Sequence, residues 1–173
     1  MSIINILLSI AVLAVIVICA SYALPASKTV SRRAVIKANA ADIYQLVAST
    51  EGFQRFNPYC DTDPSLKISA FGPDTGVGAG FSFEGKEGKG TQTVIAVKPN
   101  RQVQMEIDLG PMGKPVQTFS LKEQPDSTEV IWSTRSDFGM NPIGRVFGLF
   151  LDKMLGKTYE RGLNNLAQAV ATA

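Results

Sequence analysis

Histidine is absent from this 173-residue chain. That excludes Ser-His-Asp and Cys-His catalysis and every zinc site built on imidazole. Any acid–base chemistry falls to Asp, Glu, Lys, Tyr or Cys. Cysteine is scarce: Cys19 sits inside a long apolar run and Cys60 lies well beyond it. A disulfide between them would have to reach out of that run, so both read as free thiols, Cys60 as a small filler near a loop. No Cys-x-x-Cys spacing is present to hold zinc or run redox chemistry. Charge of one sign also fails to accumulate. The 17 Lys and Arg against 15 Asp and Glu leave a net charge of +2. Phosphate binding needs a concentrated basic stripe, so nucleic acid is excluded as the main partner. No metal or cofactor is implied by any motif. The hydrophobic share of 45% and charged share of 18% describe a folded chain rather than a disordered one.

What is present begins with the run from Ile3 to Leu24, IINILLSIAVLAVIVICASYAL, with no charge before Lys28. Roughly 22 residues at about 1.5 Å each span about 33 Å, close to the hydrocarbon thickness of a bilayer. Asn5, Ser9 and Ser21 are its strongly polar side chains, and Tyr22 stands where an interfacial aromatic belongs. A cleaved signal peptide is the rival reading. It needs a basic n-region, and nothing basic but the terminal amine precedes the run, which is also longer than a usual h-region. Ser21-Tyr22-Ala23 makes a weak cleavage site closely followed by Pro25, and a lipoprotein site at Cys19 is opposed by Ile18. Residues 1–25 are therefore expected to be an uncleaved transmembrane anchor. Lys28, Arg32 and Arg33 follow it, so the positive-inside rule places the rest on the cytoplasmic side of the cell membrane, as a single-pass protein.

The remaining residues, 28–173, suit one domain with one core. Thr29 to Lys37 reads as a strand, and Ala40 to Ala48 as a helix with Ile43, Leu46 and Val47 on one side. Ser49 and Thr50 are cap candidates for a short helix over Glu51 to Phe56, which Asn57-Pro58 ends. The period then changes. Strands are expected at Leu66–Phe71, Gly80–Glu84, Thr91–Val97, Gln102–Leu109, Val116–Lys122 and Thr128–Arg135. Turn chemistry at short intervals makes them an antiparallel meander. Asn141-Pro142 opens one long helix with its cap and first-turn proline. Its apolar positions are Ile143, Phe147, Phe150, Leu151, Met154, Leu155, Leu163 and Leu166. The expected fold class is α+β, a curved sheet of about seven strands gripping the long closing helix, preceded by the transmembrane helix.

This order, with the residues at its joints, resembles the START-like superfamily (SRPBCC), in its polyketide cyclase/dehydrase and lipid-transport branch. The resemblance is carried by Val35-Ile36 before Ala38 and Asp42, by Phe53-Gln54-Arg55-Phe56-Asn57-Pro58-Tyr59, and by Asp63-Pro64. It continues in Gly76-Val77-Gly78-Ala79-Gly80, Phe83-Glu84-Gly85, Thr128-Glu129-Val130-Ile131-Trp132 and Tyr159-Glu160-Arg161-Gly162-Leu163-Asn164-Asn165-Leu166. It implies a helix-grip fold around a hydrophobic cavity. It does not imply a reaction, because one fold hosts binders and enzymes alike. Tryptophan is frequent in the family where this chain has Phe53, Phe56 and Phe83, so the cavity is expected to differ in shape.

Gly76, Gly78 and Gly80 precede a strand rather than a helix, so they read as a turn and not a phosphate loop. Phe83, Met105, Trp132, Gly148, Met154 and Tyr159 are the expected ligand-lining residues, with the Tyr159 hydroxyl as the orienting polar group. Asp108, Arg135 and Glu160 read as solvated surface. Gly144, Gly156 and Gly162 read as points of close helix–sheet contact. The function expected is binding or transport of a lipid or apolar small molecule beside the membrane, with no catalytic residue assigned. Its rivals are a polyketide cyclase or dehydratase-like enzyme and a protein-interaction module.

Overall fold

The structure, a computed structural model, describes residues 3–172. Helix α1 (Ile3–Ser21) is followed by strand β1 (Ser27–Ile36) and three short helices, α2 (Ala40–Val47), α3 (Thr50–Gln54) and α4 (Pro58–Thr62). Six strands come next: β2 (Lys67–Phe71), β3 (Gly80–Gly85), β4 (Gly88–Lys98), β5 (Gln102–Asp108), β6 (Val116–Gln124) and β7 (Ser127–Asp137). Helices α5 (Pro142–Gly148) and α6 (Leu151–Ala171) close the chain.

The seven strands form one antiparallel sheet in the order β1-β7-β6-β5-β4-β3-β2. The six later strands are a plain meander, as turn spacing alone requires. The crossover through α2–α4 carries the chain from one edge, β1, to the other, β2. A register shift between Val94 and Ala96 bends β4, and such a bulge strengthens local twist and curvature. The concave face is packed by α2, α3 and α6, with Ile43, Val47, Phe53, Leu163 and Leu166 buried against the strands. This is the helix-grip architecture.

Local chemistry sets the short helices. The Asn39 side chain accepts from the Asp42 amide, and the Ser49 hydroxyl oxygen accepts from the Gly52 amide. Each satisfies an otherwise orphan N–H at a helix start. Asn57-Pro58 ends the preceding helix as expected, but it also starts α4. The Asn57 side chain accepts from Tyr59 N–H and Pro58 occupies the first turn, where its missing donor costs nothing. The expected turn over Gly85–Gly90 shrinks to Lys86-Glu87, and β4 begins at Gly88 in register with Gly85.

The closing helix departs from expectation more instructively. It is two helices, because the amides of Leu149 and Phe150 reach the carbonyls of Val146 and Phe147, three residues back. The apolar stripe does not keep to one buried face across that break. Leu151, Leu163 and Leu166 are buried, whereas Ile143, Phe147, Phe150 and Met154 face outward.

Helix α6 is held on β1 by Arg32. Its Nε donates to Glu160 Oε1 at 2.8 Å, and its Nη1 and Nη2 donate to the two Asp152 carboxylate oxygens at 3.0 and 3.2 Å. Gly156 leaves room for the guanidinium, since a Cβ there would overlap it. The hydrogen bonds from Arg32 hold the Asp152 carboxyl below the ordinary aspartate range. A depressed folded pKa contributes stability that is whole above the unfolded value, near about 3.9, and is lost as pH falls through the folded one. Thermal melting should therefore show an acid-labile component below about pH 4 that is missing from Arg32→Gln. Equal acid slopes in the two proteins would assign the lability to other carboxylates.

Candidate functional site

Strand parity builds the interior. On β7, Val130, Trp132 and Thr134 point inward, and on β6 Gln117, Phe119 and Leu121 do so. Met105 on β5, Gln92 and Val94 on β4 and Phe81 on β3 continue the face. Register fixes the neighbours: Trp132 lies opposite Phe119, Thr134 opposite Gln117, Gln117 opposite Met105, and Met105 opposite Val94.

Trp132 is the hub. Its ring stacks on Tyr159 of α6 with centroids 4.7 Å apart and an interplanar angle of 11°. Phe119 lies 4.6 Å away, and Phe56 and Phe53 meet it edge-on at 6.2 and 6.4 Å. Helix α6 approaches this ring closely because Gly162 has no side chain; a Cβ there would collide with the indole.

A polar row crosses the same face. The Tyr159 hydroxyl donates to Thr134 Oγ1 at 2.7 Å. Beyond Thr134, Gln117 Nε2 approaches Met105 Sδ at 3.6 Å, and Gln92 Nε2 approaches the same sulfur at 3.1 Å. A thioether is a weak acceptor, so these amides are under-satisfied. The Trp132 Nε1–H is enclosed and has no acceptor among the described residues. An unmet buried donor costs about 1–3 kcal/mol. Burial pushes the Tyr159 pKa up to about 12, so this hydroxyl stays neutral and acts as a donor.

Of the expected lining residues, Met105, Trp132 and Tyr159 come together in this interior. Phe83 is half-buried, its ring 6.4 Å from that of Phe81. Gly148 is buried against Phe138, whose Cε2 lies 2.7 Å from where a Cβ would stand. Met154 faces outward. Asp108, Arg135 and Glu160 lie at the surface, as read from their parity: Asp108 pairs with Lys114 at 2.7 Å, Arg135 is exposed and Glu160 bonds Arg32. Sequence reasoning misses Gln92, Gln117 and Thr134. Their signal is a polar residue at the inward parity of a strand, beside Val94, Phe119 and Trp132 respectively.

The interior is nearly full. A cleft lined by Ser49, Thr50, Phe53, Phe81, Gln92 and Met105 has about 10 Å³ of free space, room for about one water. The aromatic rings around Trp132 occupy the volume that a curved sheet and a helix of mismatched shape would otherwise leave.

The profile of the polyketide cyclase / dehydrase and lipid transport family matches residues 27–171. The chain belongs to this family. Solved structures agree on its fold. A protein from Mesorhizobium loti is 19% identical with a TM-score of 0.60, covering 84% of this chain and 98% of its own. One from Thermus thermophilus is 15% identical with a TM-score of 0.62, covering 83% and 97%. A third, from Thermobifida fusca, is 18% identical with a TM-score of 0.62, covering 83% and 93%. At such identities the likeness speaks to the fold alone. No curated protein matches the chain.

The Tyr159–Thr134 bond gives a direct check on the polar row of this family member. Tyr159→Phe removes one buried hydroxyl and frees the Thr134 side chain. Denaturant titration should show a loss of about 1 kcal/mol. An unchanged midpoint would mean that the hydroxyl is not held in the folded protein.

Proposed function

We propose that this family member is a membrane-anchored binder of a lipid or apolar small molecule, which it takes up in the interior around Trp132. The observation that carries the reading is the buried, unpartnered Trp132 Nε1–H among aromatic rings, with Gln92 Nε2 and Gln117 Nε2 directed at a thioether sulfur. An apolar ligand bearing one acceptor would satisfy that donor and replace ring contacts with its own. Phe83, Met105, Trp132 and Tyr159 are the proposed lining, and the nearly filled cleft requires side chains to move apart for entry. Family membership supports the same chemistry. Because Tyr159 is held neutral, it serves better as a hydrogen-bond donor than as a catalytic base, which favours the binder over a cyclase or dehydratase.

Helix α1 supports the anchor. Its 19 residues are apolar or small apart from Asn5, Ser9 and Ser21, and it has no acidic or basic side chain. It is long and apolar enough to cross a membrane. The basic residues after it support a cytoplasmic domain by the positive-inside rule.

Native mass spectrometry of the full chain, released from membranes of its own host, tests the reading. A bound species of one mass that survives dilution of bulk lipid is the expected result. Only bare protein, together with a mature N-terminus beyond Leu24, would remove both the ligand and the anchor.

A further inference from the structure

Helix α5 and the start of α6 present an apolar face that the fold leaves uncovered. Met140, Ile143, Phe147, Phe150 and Met154 are 71%, 79%, 47%, 55% and 53% exposed. Ile143 and Phe147 lie one turn apart on α5, Phe150 and Met154 one turn apart at the start of α6, and all four lie outside the buried core. A soluble surface rarely groups large apolar side chains in this way without a partner.

The position of the face identifies that partner. Helix α5 adjoins the C-terminal end of α1. The Tyr22 hydroxyl donates to the Met140 carbonyl at 3.4 Å, and Arg145 Nη1 donates to the carbonyls of Tyr22 and Leu24 at 3.0 and 3.1 Å. The Arg145 guanidinium also lies 5.3 Å from the centre of the Tyr22 ring. With Arg145 Nε and Nη2 on the Gly139 carbonyl, the end of the span, the β7–α5 loop and α5 are tied by one side chain. Tyr22 would mark the border between hydrocarbon and headgroups. Met140 touches that border residue, and α5, with seven residues, extends only about 10 Å from its start. Exposed Lys28 follows the end of α1 and exposed Lys153 and Lys157 lie in the first turns of α6, beside exposed Asp152; such cations suit an anionic leaflet.

We propose that this face lies in the interfacial layer of the bilayer that α1 crosses, so that the domain rests on the membrane through a second, non-spanning contact. The inference depends on α1 being an anchor. An interfacial helix buries its apolar side at the headgroup boundary while its cations meet phosphates. Two contacts, a span and a resting face, fix the tilt of the domain where one flexible stalk would not. Phe138, half-buried beside Gly144 and Gly148, packs α5 onto the domain and transmits that orientation.

The test uses the full chain with Cys19→Ala and Cys60→Ser, reconstituted in phosphatidylcholine vesicles containing phosphatidylglycerol. An environment-sensitive fluorophore is placed in turn at Ile143→Cys, Phe147→Cys, Val12→Cys and Lys98→Cys. Lys98 ends β4 at the far end of the sheet from Ser27. Lipids carrying a shallow nitroxide should quench the labels at 143 and 147 about twofold, lipids carrying a deep nitroxide should quench the label at 12, and neither should touch the label at 98. Quenching at 12 without quenching at 143 and 147 would overturn the proposal and leave the anchor standing. Quenching at neither would overturn both. Quenching at 143 and 147 but not at 12 by either lipid would remove the span, and the proposal with it. Blue-shifted labels at 143 and 147 that lipid nitroxides cannot reach would mean that protein covers the face, and the proposal would fail.

Discussion

Trp132→Ala is expected to lower folding stability by about 3–5 kcal/mol, the range for truncating a buried aromatic in a core that cannot collapse around the gap. Several observations put it in that range. The ring is almost entirely buried, and it contacts four other aromatics drawn from α3, from Phe56 in the segment after it, from β6 and from α6. It is also the surface on which Gly162 brings α6 down. Truncation removes the joint between the sheet and two helical layers. One term runs the other way, since the substitution deletes the unmet indole N–H and returns its desolvation cost of about 1–3 kcal/mol. The expected loss therefore falls in the lower half of the range. Circular dichroism in denaturant measures it. A loss under about 1 kcal/mol would mean that the ring is loosely held.

Gly162→Leu should also destabilise, for the opposite reason. A leucine has the better helix propensity, worth about 1 kcal/mol over glycine. In an exposed helix that gain would stand. Here the first side-chain carbon would already collide with the Trp132 ring, with Pro58 Cγ 3.2 Å away on another side. Trp132 is backed by Phe53, Phe56 and Phe119, so it cannot give way without displacing them. Helix α6 must lift, at an overpacking cost of about 1–3 kcal/mol or more. It would also strain the Tyr159–Thr134 bond one turn earlier on the helix. Thermal melting of the variant beside Gly162→Ala separates the terms: alanine should sit between wild type and leucine. A leucine variant as stable as wild type would show that α6 does not rest on the indole.

Much of the fold could be read from spacing. Alternation in Phe81–Phe83, Gln102–Asp108 and Thr128–Arg135 marks strands, and turn residues between them leave a meander as the simplest solution. The interior parity of Met105 and Trp132 was legible for the same reason. Other features depend on what a face meets, which periodicity does not encode. Ile143, Phe147, Phe150 and Met154 have the spacing of a core stripe, yet they lie outside the core beside the end of an apolar helix. Asn57-Pro58 carries the chemistry of both a stop and a start, and only the chain geometry selects the start of α4. The fullness of the interior was likewise illegible, because it depends on how Phe53, Phe56 and Phe119 fit around one indole in three dimensions. Gln92 and Gln117 were the missed clue: an amide at an inward strand position marks a polar group the core must accommodate.

Trp132 is the chain's only tryptophan, so its emission reports on the proposed binding interior without further labelling. The direct measurement is quenching of that emission by a dibrominated fatty acid added to the full chain in lipid nanodiscs, with the unbrominated acid as competitor. Bromine quenches only at near contact. The account predicts quenching that saturates at one ligand per chain and is reversed by the competitor. Emission that stays unchanged as the brominated acid fills the surrounding bilayer would contradict it, leaving the Trp132 interior as a closed core.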